Sequence, residues 1–127
     1  MMVSAKRANT VVQEGASEEF SYVVRGAMLR CGCGSFPNML NLPTCHGMYI
    51  KGQPLMNVAD SKAGDNISTF GVCVARDKPC EPEVNMEWVN GKPDLLVEGK
   101  AALLSCSYVN CIHHENGIIY VEDDGQK

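Results

Sequence analysis

The sequence predicts an all-β fold, and three observations support this prediction. Twelve glycines and six prolines divide the chain of 127 residues into short runs rich in β-branched and aromatic residues. Apolar residues do not recur at the spacing of an amphipathic helix over any long window. A short pattern, in which a β-branched residue, a charged residue and glycine precede small or aliphatic residues, occurs three times. We therefore expect short strands joined by tight turns.

The repeated pattern predicts three similar hairpins. Its copies begin at Val24, Ile50 and Val97, and each has glycine two positions later. Glycine adopts a positive φ at little cost, which suits a tight X-Gly turn. A β-rich chain can also collect such matches by chance, and the pattern alone leaves that alternative open. Three similar hairpins in one chain would give it pseudo-threefold geometry, which a monomer needs to bind the end of a threefold trimer.

The composition divides the chain into three parts. Residues 1–19 are polar and aperiodic, which predicts a flexible N-terminal arm. Order is expected to begin at Phe20, so that residues 20–121 form the β domain. Residues 122–127 are predicted to form a short acidic tail.

The charge and hydropathy of the chain disfavour several kinds of partner. Eleven Lys and Arg against fifteen Asp and Glu give a net charge of -4. Nucleic acid demands clustered positive charge, so we expect no nucleic-acid partner. No run approaches the roughly 20 apolar residues of a membrane-spanning helix. The N-terminal residues lack the apolar segment of a signal peptide, which predicts synthesis in the cytoplasm.

Seven cysteines are the best candidates for chemistry. An odd number cannot pair completely within one chain, and in a reducing compartment clustered cysteines more often bind metal than form disulfides. Structural zinc takes four thiolate or imidazole ligands. The chain has no tandem C-x₂-C pair, however, so the spacing also permits buried free thiols or a disulfide between Cys73 and Cys80.

No catalytic constellation is evident, and we expect the protein not to be an enzyme. Cys45 and His46 are neighbours, but adjacent residues in a strand face opposite sides, which makes them a poor nucleophile–base pair. The chain contains no G-x-S-x-G, H-E-x-x-H or P-loop motif. We interpret Trp88 as a core aromatic, with a place in a partner interface as the alternative.

Several segments of the chain resemble those of a known family. Residues 50–60 resemble the hairpin of PAAR-repeat proteins, and residues 22–121 resemble a PAAR-like family formerly classed as a domain of unknown function. The matching segments, in chain order, are 24–31, 60–67, 70–73, 79–82, Trp88 and 96–103, followed by Cys111 and the closing strand 117–121. Each segment is short, and their shared order makes the resemblance specific.

The resemblance implies a small conical domain of short strands that caps the trimeric, VgrG-like spike of a contractile injection system, such as a type VI secretion system. Many such proteins carry an effector or toxin, and this chain has no room for a fused one. We therefore expect either a bare tip or a carrier of non-covalently held cargo, delivered outside the cell as part of the injection particle.

The resemblance also implies a structural zinc site. The implied ligands are Cys31, Cys73, Cys80 and Cys111, with His46, His113 or His114 as possible substitutes for one thiolate. Cys33 occupies a position at which the family tolerates other residues. Two alternative functions remain: a small cytoplasmic zinc-binding adaptor, and a metal-dependent hydrolase with an open coordination position.

Overall fold

The computed structural model describes residues 10–12 and 19–126. These residues form strands and no helix, which confirms the all-β prediction. The described strands are β1 (Thr10–Val12), β2 (Glu19–Ser21), β3 (Met28–Cys31), β4 (Asn38–Met39), β5 (Tyr49–Ile50), β6 (Gln53–Pro54), β7 (Val72–Cys73), β8 (Lys78–Pro79), β9 (Lys92–Val97), β10 (Lys100–Ala102), β11 (Tyr108–Asn110) and β12 (Ile118–Asp123).

The largest sheet has four antiparallel strands in the order β11-β12-β3-β4. Strand β3 alternates strictly, with Leu29 and Cys31 buried and Met28 and Arg30 partly exposed. This alternation is typical of a sheet with one face against the core and one face toward solvent. The buried face of the sheet therefore delivers Cys31 to the interior at the end of β3.

Three antiparallel hairpins, β1–β2, β5–β6 and β9–β10, form separate two-stranded sheets, as does β7–β8. In the β5–β6 turn Lys51 and Gly52 have φ of 52° and 79°, and in the β9–β10 turn Glu98 and Gly99 have φ of 49° and 83°. A positive φ at both central residues defines the type I′ turn, whose twist matches that of the flanking strands. The X-Gly turns expected at these two positions are confirmed.

A closed ring of three backbone hydrogen bonds joins three distant segments. The N–H of Val23 donates to the carbonyl of Leu103, the N–H of Leu103 to that of Met56, and the N–H of Met56 to that of Val23, each at 3.0 Å. All three residues are fully buried. Each segment thus makes the same contact with the next, so the backbone here has a threefold pattern.

The same threefold pattern continues directly after the ring. Ala27, Asp60 and Ser107 each donate a backbone hydrogen bond to the residue three positions earlier in the chain, at 3.2, 3.1 and 2.9 Å. An i→i+3 hydrogen bond of this kind closes a β-turn. Three equivalent turns therefore follow the three ring residues.

The ring separates two apolar clusters because successive residues of an extended chain face opposite sides. Val23, Met56 and Leu103 belong to the larger cluster, which also contains Cys31 and Cys73. Their neighbours in the chain belong to the smaller cluster: Tyr22, Val24, Leu55, Ala102 and Leu104. Residues of β2, β5 and β9 pack against this smaller cluster or lie within it, so the three hairpins and the buried cysteines lie on opposite sides of the ring.

The first copy of the sequence repeat is not a hairpin, which corrects the prediction. Val24 accepts a turn hydrogen bond from Ala27 but pairs across strands with Leu55, while Met28 pairs with Met39. The structural counterpart of the other two hairpins is β1–β2, because β2 leads into Val23 as β6 leads into Met56 and β10 into Leu103. The sequence pattern misaligned this copy because residues 10–21 do not contain a β-branched residue, a charged residue and glycine in direct succession.

The predicted arm and the predicted acidic tail lie at the two ends of the chain. Most of the segment 1–19, predicted as a flexible arm, lies outside the described residues, and that prediction remains a prediction. At the other end, β12 runs to Asp123, and the Gln126 side chain donates a hydrogen bond of 2.6 Å to the carbonyl of Tyr22. Within the described part of the chain, no helix has the length and apolar character needed to cross a membrane.

Candidate metal site

One small cavity collects most of the candidate ligands. Its free volume is about 10 Å³, which is room for a single water molecule. The residues that line it are Cys31, Cys33, Cys73, Cys80, Cys111, His113, His114, Arg76, Glu81 and Gly117. Five of the seven cysteines and two of the three histidines therefore face one another across the fold.

The cavity brings together all four cysteines that the resemblance implies as ligands: Cys31, Cys73, Cys80 and Cys111. His113 and His114, two of the implied substitutes, also line it. The third substitute, His46, lies elsewhere, between Asp60 and Glu98. Cys33, which the resemblance does not imply as a ligand, also lines the cavity.

A tight turn after β3 places Cys33 beside Cys31. The N–H of Gly34 donates to the carbonyl of Cys31 at 3.0 Å. A Cβ atom at position 34 would lie 2.5 Å from the Cβ of Phe70, so only glycine allows this turn to approach the core so closely. The C-x-C spacing of Cys31 and Cys33 is the sequence signal for a second ligand in this turn, but it matches no common zinc motif.

The β7–β8 hairpin supplies the next two cysteines. Cys73 lies in β7, paired with Gly34, and the N–H of Val74 donates to the carbonyl of Cys33 at 2.8 Å. Cys80 follows β8, and its N–H donates to the carbonyl of Gly71 at 2.8 Å. Backbone hydrogen bonds therefore fix both cysteines against the turn that carries Cys33.

The loop between β11 and β12 closes the cavity. Cys111 donates its N–H to the carbonyl of Gly117 at 2.8 Å, and Gly117 donates to the carbonyl of His114 at 3.0 Å. The ring of His113 is 3.7 Å from a carboxylate oxygen of Glu83, measured from Nε2. These contacts hold Cys111 and both histidines in one short loop.

The thiols differ in acidity because their surroundings differ. Burial raises the pKa of Cys31 and of Cys33, and neighbouring cysteines raise both further. Burial would also raise the pKa of Cys73, but hydrogen bonds from the Arg76 guanidinium and from the backbone N–H groups of Arg76 and Ala75 outweigh it and lower that pKa. The surroundings of Cys73 thus stabilise its thiolate, in contrast to those of Cys31 and Cys33.

The residues fit zinc in their chemistry. Thiolates and neutral imidazoles are the ligands of structural zinc sites, and the cavity offers both. As they stand, no three Cys, His, Asp or Glu side chains of the described residues converge on a point that could hold an ion. Any ion would therefore be held only after the side chains of the cavity cysteines and histidines rearrange.

The remaining candidates have other environments. Cys45 is exposed, and its sulfur accepts a hydrogen bond of 2.9 Å from the Tyr49 hydroxyl. The neighbouring His46 is hydrogen-bonded to carboxylates, so Cys45 and His46 do not form a nucleophile–base pair.

Trp88 is buried and donates from Nε1 to the carbonyl of Asp60 at 2.8 Å. Its interpretation as a core aromatic is confirmed.

Comparisons with curated proteins and with solved structures found no match. A family model, described as Domain of unknown function (DUF4280), matches residues 23–126. This match includes all three ring residues and every cysteine and histidine of the cavity. Because it spans most of the chain, the protein belongs to the DUF4280 family.

Proposed function

We propose that this protein is a structural tip that caps the trimeric, VgrG-like spike of a contractile injection system, as the resemblance to PAAR-like proteins implies. The observation that carries the proposal is the closed ring of Val23, Met56 and Leu103. A single chain that presents three similar but non-identical elements around a pseudo-threefold axis can make three similar contacts with a threefold trimer.

The hairpin side of the ring is the surface that would meet the spike. Among the residues that the structure describes, strands β5 and β9 each pair with a single neighbour, so their outer edges would be available to extend the sheets of a partner. Tyr49 on β5 is 55% exposed and Leu96 on β9 is 57% exposed. Open strand edges next to exposed apolar side chains suit a partner that ends in β-strands.

The cysteine side of the ring would form the outer part of the tip. The strands there are two to four residues long, apart from β12, so apolar packing alone gives little rigidity. Zinc held by the cavity cysteines would cross-link the turn after β3, the β7–β8 hairpin and the β11–β12 loop. The role is mechanical, and turnover of a substrate is not required; an effector carried non-covalently is compatible with it.

The test is assembly with a purified spike trimer from the same genome. Native mass spectrometry should detect one tip chain per three spike chains. Tyr49→Asp and Leu96→Asp should weaken this complex at least tenfold, because they place charge on the hairpin surface. Val74→Asp is the matched control, since Val74 is 65% exposed on the cysteine side, and it should leave the complex intact.

Other outcomes would contradict the proposal. A wild-type chain that stays monomeric beside the spike, and instead binds an unrelated protein, would indicate the zinc-binding adaptor. Metal-dependent hydrolysis by the purified protein would indicate the hydrolase. If Val74→Asp rather than the two hairpin variants abolished the complex, the cysteine side would be the docking surface and the proposed orientation would be wrong.

A further inference from the structure

His46 links the β9–β10 hairpin to the segment that leads into β5. One nitrogen of its imidazole, Nδ1, is 2.7 Å from a carboxylate oxygen of Glu98, which lies in the β9–β10 turn. The other, Nε2, is 2.9 Å from a carboxylate oxygen of Asp60, in the second of the three turns that follow the ring. We propose that His46 is a pH-dependent clamp, which holds the β9–β10 turn in place while the imidazole is protonated and releases it when the imidazole becomes neutral.

Both contacts of His46 are hydrogen bonds only when the imidazole is protonated. An ionised carboxylate accepts hydrogen bonds and cannot donate them, so each nitrogen that contacts one must carry a hydrogen. A neutral imidazole has a single N–H group and can therefore bond to one of the two carboxylates only. Loss of one proton thus breaks one of the two contacts.

Asp60 keeps the remaining N–H group because it is the more buried of the two carboxylates. Its side chain is 9% exposed, against 59% for Glu98. A buried carboxylate that loses its donor stays unsatisfied, whereas water replaces the donor at an exposed one. Asp60 is also fixed in place, since its carboxylate accepts a hydrogen bond of 2.8 Å from the N–H of Asn57. Glu98 is therefore the partner that His46 releases.

The released turn borders the surface proposed to meet the spike. Glu98 lies two positions after Leu96, and His46 lies three positions before Tyr49. Glu98 also has φ of 49°, a conformation that its side chain disfavours, so the turn depends on its contacts to stay ordered. The hairpin surface is therefore better ordered for its partner when the clamp is closed. This consequence rests on the proposed function, whereas the clamp itself does not.

The two carboxylates set the pH at which the clamp opens. Burial alone would lower the pKa of His46, but the hydrogen bonds and charges of Asp60 and Glu98 raise it above the ordinary value of 6.5. The clamp is thus closed below about pH 6.5 and opens as the pH rises through the folded-state pKa. Lys62 and Asp65 border the same open depression as His46, but both are exposed, so solvent screens their charges.

Carbon-13 relaxation of the free chain tests the clamp without a partner. The order parameters of the Cα–Hα bonds at Glu98 and Gly99 should be high near pH 5.5 and fall toward about pH 8.5, with the same midpoint as the titration of the His46 imidazole. Lys51 and Gly52 form a turn of the same type in the β5–β6 hairpin, and their order parameters should not change. Unchanged order at Glu98 and Gly99 would overturn the clamp.

Four variants assign the transition to its groups. Glu98→Gln removes one carboxylate charge and should move the midpoint to lower pH, and His46→Gln should abolish the transition. Cys45→Ser and Asp65→Asn control for the other groups nearby, including the Cys45 thiol, whose pKa is lowered by the hydrogen bond from the Tyr49 hydroxyl. Both control variants should keep the transition. Circular dichroism spectra identical to that of the wild type would confirm that the variants have folded, and a transition that persists in His46→Gln would overturn the proposal.

Binding to the purified spike trimer tests the consequence for docking. A partner that binds the clamped form alone would bind up to about tenfold more weakly for each pH unit above the folded-state pKa of His46. The dissociation constant of the wild type should therefore rise from about pH 5.5 to about pH 8.5, and that of His46→Gln should rise less, a comparison that corrects for titration of the spike itself. An equal rise in both proteins would overturn the consequence for docking. No binding at any pH would contradict the capping role, and relaxation of the free chain would still decide the clamp separately.

Discussion

The sulfur of Cys33 and the imidazole of His114 are 3.8 Å apart, although 81 positions separate them in the sequence. The contact joins the turn that follows β3 to the loop between β11 and β12. The strands that carry these two segments are neighbours, because β12 pairs with β3 along Cys31, Arg30 and Leu29. The cavity therefore forms only when β3 and β12 have paired.

Loss of Cys73 should reduce metal binding and stability together. Cys73→Ser replaces the thiolate that Arg76 and two backbone N–H groups support. Changes to the surroundings of a metal ligand alone cost about 10–100-fold in affinity, so removal of the ligand itself should cost more than about 100-fold. Competition with a chromophoric chelator measures the affinity, and calorimetry should show a lower melting temperature in the same sample.

The matched control for this prediction is Cys45→Ser. Cys45 is exposed and does not line the cavity, so zinc affinity and melting temperature should stay at the wild-type values. Full zinc retention by Cys73→Ser would remove Cys73 from the ligand set. Equal losses in both variants would mean that the effect is not specific to the cavity.

Part of the site could be predicted from the sequence. The resemblance singled out four cysteines, and the fold brings them to one cavity because their segments lie on paired strands and hairpins. The place of Cys33 could not be predicted, since its approach to His114 depends on the pairing of β3 with β12. The separate position of His46 depends equally on tertiary contacts, with Asp60 and Glu98.

The β5–β6 turn should gain stability from a residue better suited to its conformation. Lys51 has φ of 52°, and a left-handed conformation costs a residue such as lysine roughly 1–2 kcal/mol. Asparagine tolerates this conformation, and Asn-Gly is a preferred type I′ pair. Lys51→Asn should therefore raise the free energy of unfolding by about 0.5–1 kcal/mol in urea denaturation.

Lys62→Asn is the control for the turn. Lys62 is also exposed but is not among the residues with positive φ, so its replacement should change the free energy of unfolding by less than about 0.5 kcal/mol. A decrease in stability for Lys51→Asn would contradict the type I′ assignment. Equal gains at both positions would point to an effect of charge rather than of backbone conformation.

The three hairpins could also be predicted only in part from the sequence. Glycine spacing located the β5–β6 and β9–β10 turns, because a tight type I′ turn needs particular residues. It did not identify β1–β2 as the third hairpin, since the sequence between these strands, which begins Gln13-Glu14-Gly15, does not match the repeated pattern. The ring itself consists of backbone hydrogen bonds among Val23, Met56 and Leu103, and such bonds impose no particular side chain.

The indole of Trp88 should contribute both packing and one buried hydrogen bond. Trp88→Phe keeps an aromatic ring but leaves the buried carbonyl of Asp60 without its donor. An unsatisfied buried acceptor costs about 1–3 kcal/mol, so the free energy of unfolding, followed by circular dichroism, should fall by at least that amount. Tyr120→Phe alters an exposed ring and should cost less than about 0.5 kcal/mol. Equal costs would contradict a structural role for the indole N–H.

The contacts of His46 should make stability depend on pH in a defined direction. Its Nδ1 atom is 2.7 Å from a carboxylate oxygen of Glu98, and its Nε2 atom is 2.9 Å from one of Asp60. Burial alone would lower the pKa of His46, but the hydrogen bonds and charges of these carboxylates raise it above the ordinary value of 6.5. The folded protein therefore holds the proton of His46 more tightly than the unfolded chain does.

Because the folded-state pKa is raised, the stabilisation by His46 is fully present below about pH 6.5. It is lost as the pH rises through the folded-state pKa. The difference in free energy of unfolding between the wild type and His46→Gln should thus be largest near pH 5.5 and shrink toward pH 8.5. Urea denaturation followed by the fluorescence of Trp88, the single tryptophan, measures this difference. Comparison with the variant at each pH cancels the titration of the cavity cysteines, since His46 does not line the cavity. A difference that grows with rising pH would show that the neutral ring is the better-bound form, contrary to the two-carboxylate contact.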